Sequence, residues 1–165
     1  MYNNSTQILH QTAINFLEQN QLKRLEILKK YGIARYTFLT KMSCNQTNIV
    51  CVMRYLQNPQ FVKFPNLVDA DLSNLVLDEA NFIRGNLTGA NLENTSLVNA
   101  DLIFANLTNA NLQNTNLSGA TLNETIWQGA LVKGCNFTNT SGLSDVQRKD
   151  LQNSGGIFDN LADDI

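Results

Sequence analysis

The chain has 165 residues, 43% of them hydrophobic and 8% aromatic, with 12 Lys and Arg against 14 Asp and Glu. That length accommodates one compact domain or one repeat array with caps. No stretch approaches the eighteen or more apolar residues that span a bilayer, and Met1 to Ala13 lacks a basic region followed by an apolar core, so a soluble cytoplasmic protein is expected. Cys44, Cys51 and Cys135 show neither CxxC spacing nor an even count, which argues against a zinc site or a disulfide framework and for reduced, mostly buried thiols.

The even overall balance hides a polarity along the chain. Residues 1–64 hold eight Lys or Arg against Glu18 and Glu26, residues 65–139 hold two against seven acids, and the tail from Thr140 holds two against five, giving +6, −5 and −3. The basic head reads as helices. Ser5 or Thr6 is placed to cap a first helix running to about Glu18, and Asn20 to cap a second through Leu22, Leu25 and Leu28, closed by Gly32. A short apolar turn spans Tyr36 to Met42, and Thr47 is placed to cap a last helix ended by Asn58-Pro59.

From Pro65 to Asn139 the chain consists of fifteen unbroken five-residue units: Ala70-Asp71-Leu72-Ser73-Asn74 returns as Ala90-Asn91-Leu92-Glu93-Asn94, Ala100-Asp101-Leu102-Ile103-Phe104 and Ala110-Asn111-Leu112-Gln113-Asn114. Self-similarity at a fixed period identifies a repeat architecture. The unit centres, at 67, 72, 77 and onward to 137, are eleven Leu together with Phe82, Phe137, Trp127 and Val132. Two residues before each centre the side chain is small, with Pro65 and Leu75 as exceptions. Neither a helix of period 3.6 nor a strand of period 2 keeps every fifth residue on one face over such a length, whereas a chain that turns a corner once per unit does.

This grammar, A(D/N)LXX, resembles that of the pentapeptide-repeat family. The resemblance implies an all-β fold: a right-handed quadrilateral β-helix, four units per coil, with the large and small residues inside. About four coils follow, with residues twenty apart stacked at a spacing of about 4.8 Å. The expected organisation is an N-terminal α-helical cap over 1–64, the β-helix over 65–139, and a short C-terminal helix with an acidic tail over 140–165. Caps are expected because the ends of a solenoid expose core and unpaired strand edges. Leu75, too big for its interior slot, marks the coil that the head would plug.

Corners fall two residues after each centre, and ten of fifteen are Gly or Asn, the residues that supply the positive φ of a type II turn at least cost. The column Arg84/Phe104/Glu124 has neither, so negative φ is expected there and one corner of the square is expected to be built differently. In the tail, Ser144-Asp145-Val146-Gln147 is a capping-box signature for a helix to about Asn153. Beyond Gly155-Gly156, the sequence leaves two alternatives for Ile157, Phe158 and Leu161: packing on Trp127 and Phe137, or a mobile tail.

Little in the chain points to catalysis. Its one histidine, His10, falls on a predicted surface helix, Asp78-Glu79 is the only adjacent acidic pair in the repeats, and there is no phosphate loop, Ser-His-Asp set or metal spacing. No cofactor is expected. The reading that remains is a non-catalytic protein-interaction or scaffolding module, monomeric or weakly dimeric, with a protein partner; the family resemblance adds a regulatory role in a cyanobacterium. Its expected partner-binding surface is Ile83, Ile103 and Phe104, flanked by Arg84 and Glu124, because exposed apolar clusters mark contacts; the competing reading is that this corner tolerates other turns and Phe104 lies flat on its neighbours. Two alternatives compete. One is binding of nucleic acid or a membrane surface by Lys23, Arg24, Lys29, Lys30, Arg35, Lys41, Arg54 and Lys63. The other, implied by the resemblance, is DNA mimicry toward gyrase, against which stand only seven acids, Asp69, Asp71, Asp78, Glu79, Glu93, Asp101 and Glu124, spread over four faces, where DNA carries about one charge per 1.7 Å.

Overall fold

In the computed structural model, which describes residues 3–160, twelve parallel bridges join residues twenty apart, from Asn66 with Asn86 to Thr121 with Ser141. Each coil is therefore four units, as the period requires. A side is too short between its corners for more than one bridged residue, which is why the ladder consists of isolated bridges and not of long strands. The bonding repeats on every side: Leu87 N–H donates to the Asn106 carbonyl at 2.8 Å, Asn106 N–H to the Gly85 carbonyl at 2.9 Å, and Gly89 N–H to the Thr108 carbonyl at 2.9 Å.

The Asn or Asp that precedes most centres has its own role, one that periodicity alone did not explain. Its side-chain oxygen accepts the N–H two residues on, as in Thr88 to Asn86 at 3.2 Å and Ile103 to Asp101 at 3.1 Å, an Asx turn that occupies a donor the ladder leaves free. Ser96 has no such carbonyl. Asp78, on the side below, takes both its hydroxyl and the Val98 N–H.

All fifteen corners have positive φ, from 55° to 73°. This overturns the expectation of negative φ at Arg84, Phe104 and Glu124, where φ is 55°, 59° and 56°. The corner is not built differently. Arg84 N–H donates to the Ile103 carbonyl and Phe104 N–H to the Asn123 carbonyl, while Gly85 and Ala105 close the turns onto Phe82 and Leu102. Those bonds fix the backbone at every corner, and a side chain without a preference for the left-handed region bears a strain of about 1–3 kcal/mol to comply.

Inside, the Leu centres from Leu67 to Leu122 are at most 2% exposed, as are Val132 and Phe137, and Ala70, Ala90, Ala100, Ala105, Ala110 and Ala120 are sealed between them. The buried threonines are satisfied across coils: Thr95 Oγ1 donates to the Leu72 carbonyl and Thr115 Oγ1 to the Leu92 carbonyl. Rings sit where the column meets other elements. Phe82 lies 5.2 Å from Phe38 of the head, and Trp127 lies edge-on to Phe137 at 5.6 Å.

The head contains α1 (Asn4–Leu17), α2 (Gln21–Lys30), a 3-10 turn over Thr37–Thr40 and α3 (Gln46–Gln57). Asn20 caps α2 as the sequence indicates, but Asn3 caps α1 in place of Ser5 or Thr6, and Asn45 caps α3 in place of Thr47. In both cases an asparagine just upstream reaches the free N–H groups first, and the Thr47 hydroxyl instead donates to Asn45 Oδ1. A helix α4 (Asp145–Asn153) follows the repeats, opened by the capping box of Ser144 and Gln147. The chain then turns back: Ile157 bridges to Asn136, and Phe158 stacks on Phe137 at 4.8 Å. Ile157 itself stays exposed, and Leu161 lies outside the described residues.

Candidate interaction surface

Corner residues twenty apart stand one above another, so the column that begins at Arg84 continues to Phe104 and Glu124. It also continues downward, to Phe64. The Arg84 guanidinium carbon lies 5.6 Å from the Phe64 ring centre and 5.1 Å from that of Phe104, a cation between two aromatic faces worth about 0.5–1 kcal/mol per face at an exposed site. Phe104 is 50% exposed and Phe64 48%. Ile83 and Ile103, one residue before the corner, are half-buried, and Glu124 is exposed above Phe104.

Of the five residues singled out from the sequence, all share this edge of the tower, and Arg84 and Phe104 are in direct contact. Phe64 was missed, although the signal was present: carrying the twenty-residue register back from Arg84 lands on it, one residue before the first unit. Phe61, 73% exposed on the turn that follows α3, carried no signal of period.

The basic head is less available than its charge suggests. Arg24 is buried and not on the surface: its guanidinium donates to the main-chain carbonyls of Leu17, Gln19, Thr40 and Met42 and sits against Phe16. Burial lowers its pKa from the ordinary arginine value. Arg54 donates to Val68, Lys41 to Val76 and Arg35 to Val62, all to carbonyls. Lys23 pairs with Glu26. Lys29, Lys30 and Lys63 are exposed.

The acids of the repeats stay at the surface, with Asp69, Asp78, Glu79 and Glu124 exposed. Asp71 and Asp101 accept N–H groups of their own turns, and Asp78 serves Ser96 and Val98. Among the described residues no group of three His, Cys, Asp or Glu is placed to hold a metal ion, and no helix is long and apolar enough to cross a membrane. His10 faces a groove between α1 and α3 with Leu9, Val50 and Met53.

The family described as Pentapeptide repeats matches in eight copies, over residues 66–102, 86–123 and 115–141. No curated protein matches the chain significantly. Among solved structures, the chain is similar to a pentapeptide repeat protein from the Arabidopsis thaliana thylakoid lumen, at 31% identity over 59% of this chain and 74% of that one, with a TM-score of 0.34. It is similar to a pentapeptide repeat protein from the cyanobacterium Cyanothece 51142, at 34% identity over 47% of this chain and 54% of that one, with a TM-score of 0.25. It also resembles HetL of Nostoc sp. strain PCC 7120, a protein involved in heterocyst differentiation regulation, at 21% identity over 47% of this chain and 51% of that one, with a TM-score of 0.31. Members of this family form right-handed β-helices. On its repeats and on these matches, the chain belongs to the pentapeptide repeat family.

Proposed function

We propose that this protein is a non-catalytic interaction module whose partner surface is the corner of Ile83, Arg84, Ile103, Phe104 and Glu124, extended by Phe64. The observation that supports it is the exposed Phe64–Arg84–Phe104 column. Phe104 occupies a left-handed corner where Asn or Gly would be unstrained, and it leaves half its ring in water; its stack on Arg84 does no more than offset the strain, and the exposed ring suits an anchor for a partner. A stiff solenoid presents such an anchor at low entropic cost.

In this reading the head acts as a cap on the first coil and α4 with its returning segment acts as the other. The spread of the seven acids over positions none of which stack twenty residues apart disfavours DNA mimicry. Free thiols at Cys44, Cys51 and Cys135 are compatible with a reducing, cytoplasmic location. The test is to isolate partners with the wild-type chain as bait and to measure their affinity for Phe104→Asn. A drop of at least tenfold, about 1.4 kcal/mol, with an unchanged melting temperature is expected; equal affinity would move the search to another face.

A further inference from the structure

Next to Phe64 the surface opens into a recess of about 280 Å³, lined among others by Arg54, Phe61, Lys63 and Phe64. Arg54 comes from α3, and the other three from the segment that links it to the repeats. Arg84 stands beside the same Phe64 ring. Two cations thus line a recess of mixed polarity, and a third adjoins it across the Phe64 ring. The single ion pair among the described residues, Lys23 with Glu26, lies elsewhere, so none of these cations meets a carboxylate, and no acidic residue lines the recess. Arg54 is held in place by its 2.8 Å bond to the Val68 carbonyl, which orients its guanidinium without neutralising its charge.

We infer that this recess receives an acidic, extended segment of a partner protein, with carboxylates at Arg54, Lys63 and Arg84 and an apolar side chain against Phe61 and Phe64. The inference rests on the corner column being an interaction surface and names the chemistry of its partner. Two features favour a peptide over the other anions. The recess has the volume of one or two side chains, whereas a nucleic acid needs cations continued along its backbone at a spacing of about 3.4 Å per phosphate. Its concave shape does not match a lipid surface, and the faces of Phe64 and Phe104 that meet Arg84 are not free for base stacking.

The experiment is a selection of random displayed peptides on the full-length protein, followed by affinity measurement of the enriched peptides on variants. Enriched sequences are expected to carry Asp or Glu beside Leu, Ile or Phe, to lose at least tenfold in affinity on Lys63→Glu and on Arg84→Glu, and to weaken with salt. Lys63 is exposed, so Lys63→Glu tests the charge without threatening the fold. Enrichment without acids, or acidic peptides that bind Lys63→Glu as well as wild type, overturns the inference, as does Lys63-dependent binding of oligothymidylate or of phosphatidylserine vesicles with no peptide enriched. The two readings separate on Phe104→Asn. Acidic peptides that depend on Lys63 but not on Phe104 leave the recess and remove the column, while non-acidic peptides that depend on Phe104 do the reverse.

Discussion

The Asn48 carboxamide is hydrogen-bonded to both main-chain groups of Asp71: its Nδ2 donates to the Asp71 carbonyl at 2.9 Å and its Oδ1 accepts the Asp71 N–H at 2.9 Å. In the tower those two groups would face the coil below, and the first coil has none. A side-chain amide stands in for the missing backbone. On the adjacent side Tyr55 Oη accepts the Asn66 N–H, Cys51 Sγ donates to the Asn66 carbonyl and Arg54 donates to Val68. Asn48, Cys51 and Tyr55 lie on one face of α3 by their spacing, so one helix covers two of the four open sides.

Asn48→Leu is accordingly expected to destabilise by about 1–3 kcal/mol, since it strands a buried donor and acceptor on Asp71. Asn48→Asp is expected to cost more, because it places a second carboxylate beside Asp71. Urea midpoints of the three proteins check this, and a midpoint for Asn48→Leu equal to wild type would show that the first-coil edge is held by other contacts.

Deleting residues 1–58 exposes that edge together with the interior around Leu67 and Phe82, and the remaining fragment is expected to aggregate. Size-exclusion chromatography of residues 59–165 decides the matter. A soluble monomer with an intact β signal would assign the helices to binding instead of capping.

Within the tower, Leu107 is sealed beneath Trp127 and above Leu87. Leu107→Ala is expected to cost about 2–5 kcal/mol by opening a cavity. Ala110→Leu, at a fully buried small position, is expected to cost about 1–3 kcal/mol by overpacking. Thermal melts of both variants test whether large and small slots are as distinct as the columns indicate.

Burial pushes the Cys51 thiol up to about 12 and raises that of Cys135 as well. Both stay protonated in the folded chain while the unfolded chain loses their protons from about pH 8.5 upward. Their contribution is complete below that pH and is lost as pH rises toward the folded value, by about 1.4 kcal/mol per pH unit per thiol. Denaturation midpoints across pH 8 to 11 should therefore fall. Under native conditions at pH 8 iodoacetamide should modify the exposed Cys44 alone, and modification of Cys135 at a comparable rate would contradict a closed last coil.

Phe104→Asn replaces a strained aromatic with a residue suited to positive φ, while it gives up one face of the Arg84 sandwich. These effects oppose each other at about 1 kcal/mol each, so the melting temperature should hardly move. A large loss of stability would identify Phe104 as packing and not as a partner anchor.

The period and the alternation of large and small residues were enough, from the sequence, to determine the twenty-residue coil and the interior columns, because these depend on contacts that recur every unit and so are written fifteen times; the capping box at Ser144 was legible because it is made by residues only three apart. What depends on a single contact between distant parts of the chain was not legible. Nothing in the pattern says that Asn48 replaces a strand or that Arg24 turns inward onto four carbonyls. The corner itself is the clearest case. Local preference assigns Phe104 a negative φ, yet the ladder bonds above and below it impose +59°. Side-chain preference is a local energy of about a kilocalorie, and the coil outweighs it through the hydrogen bonds and burial of every neighbouring unit, which exist only once the chain has wound.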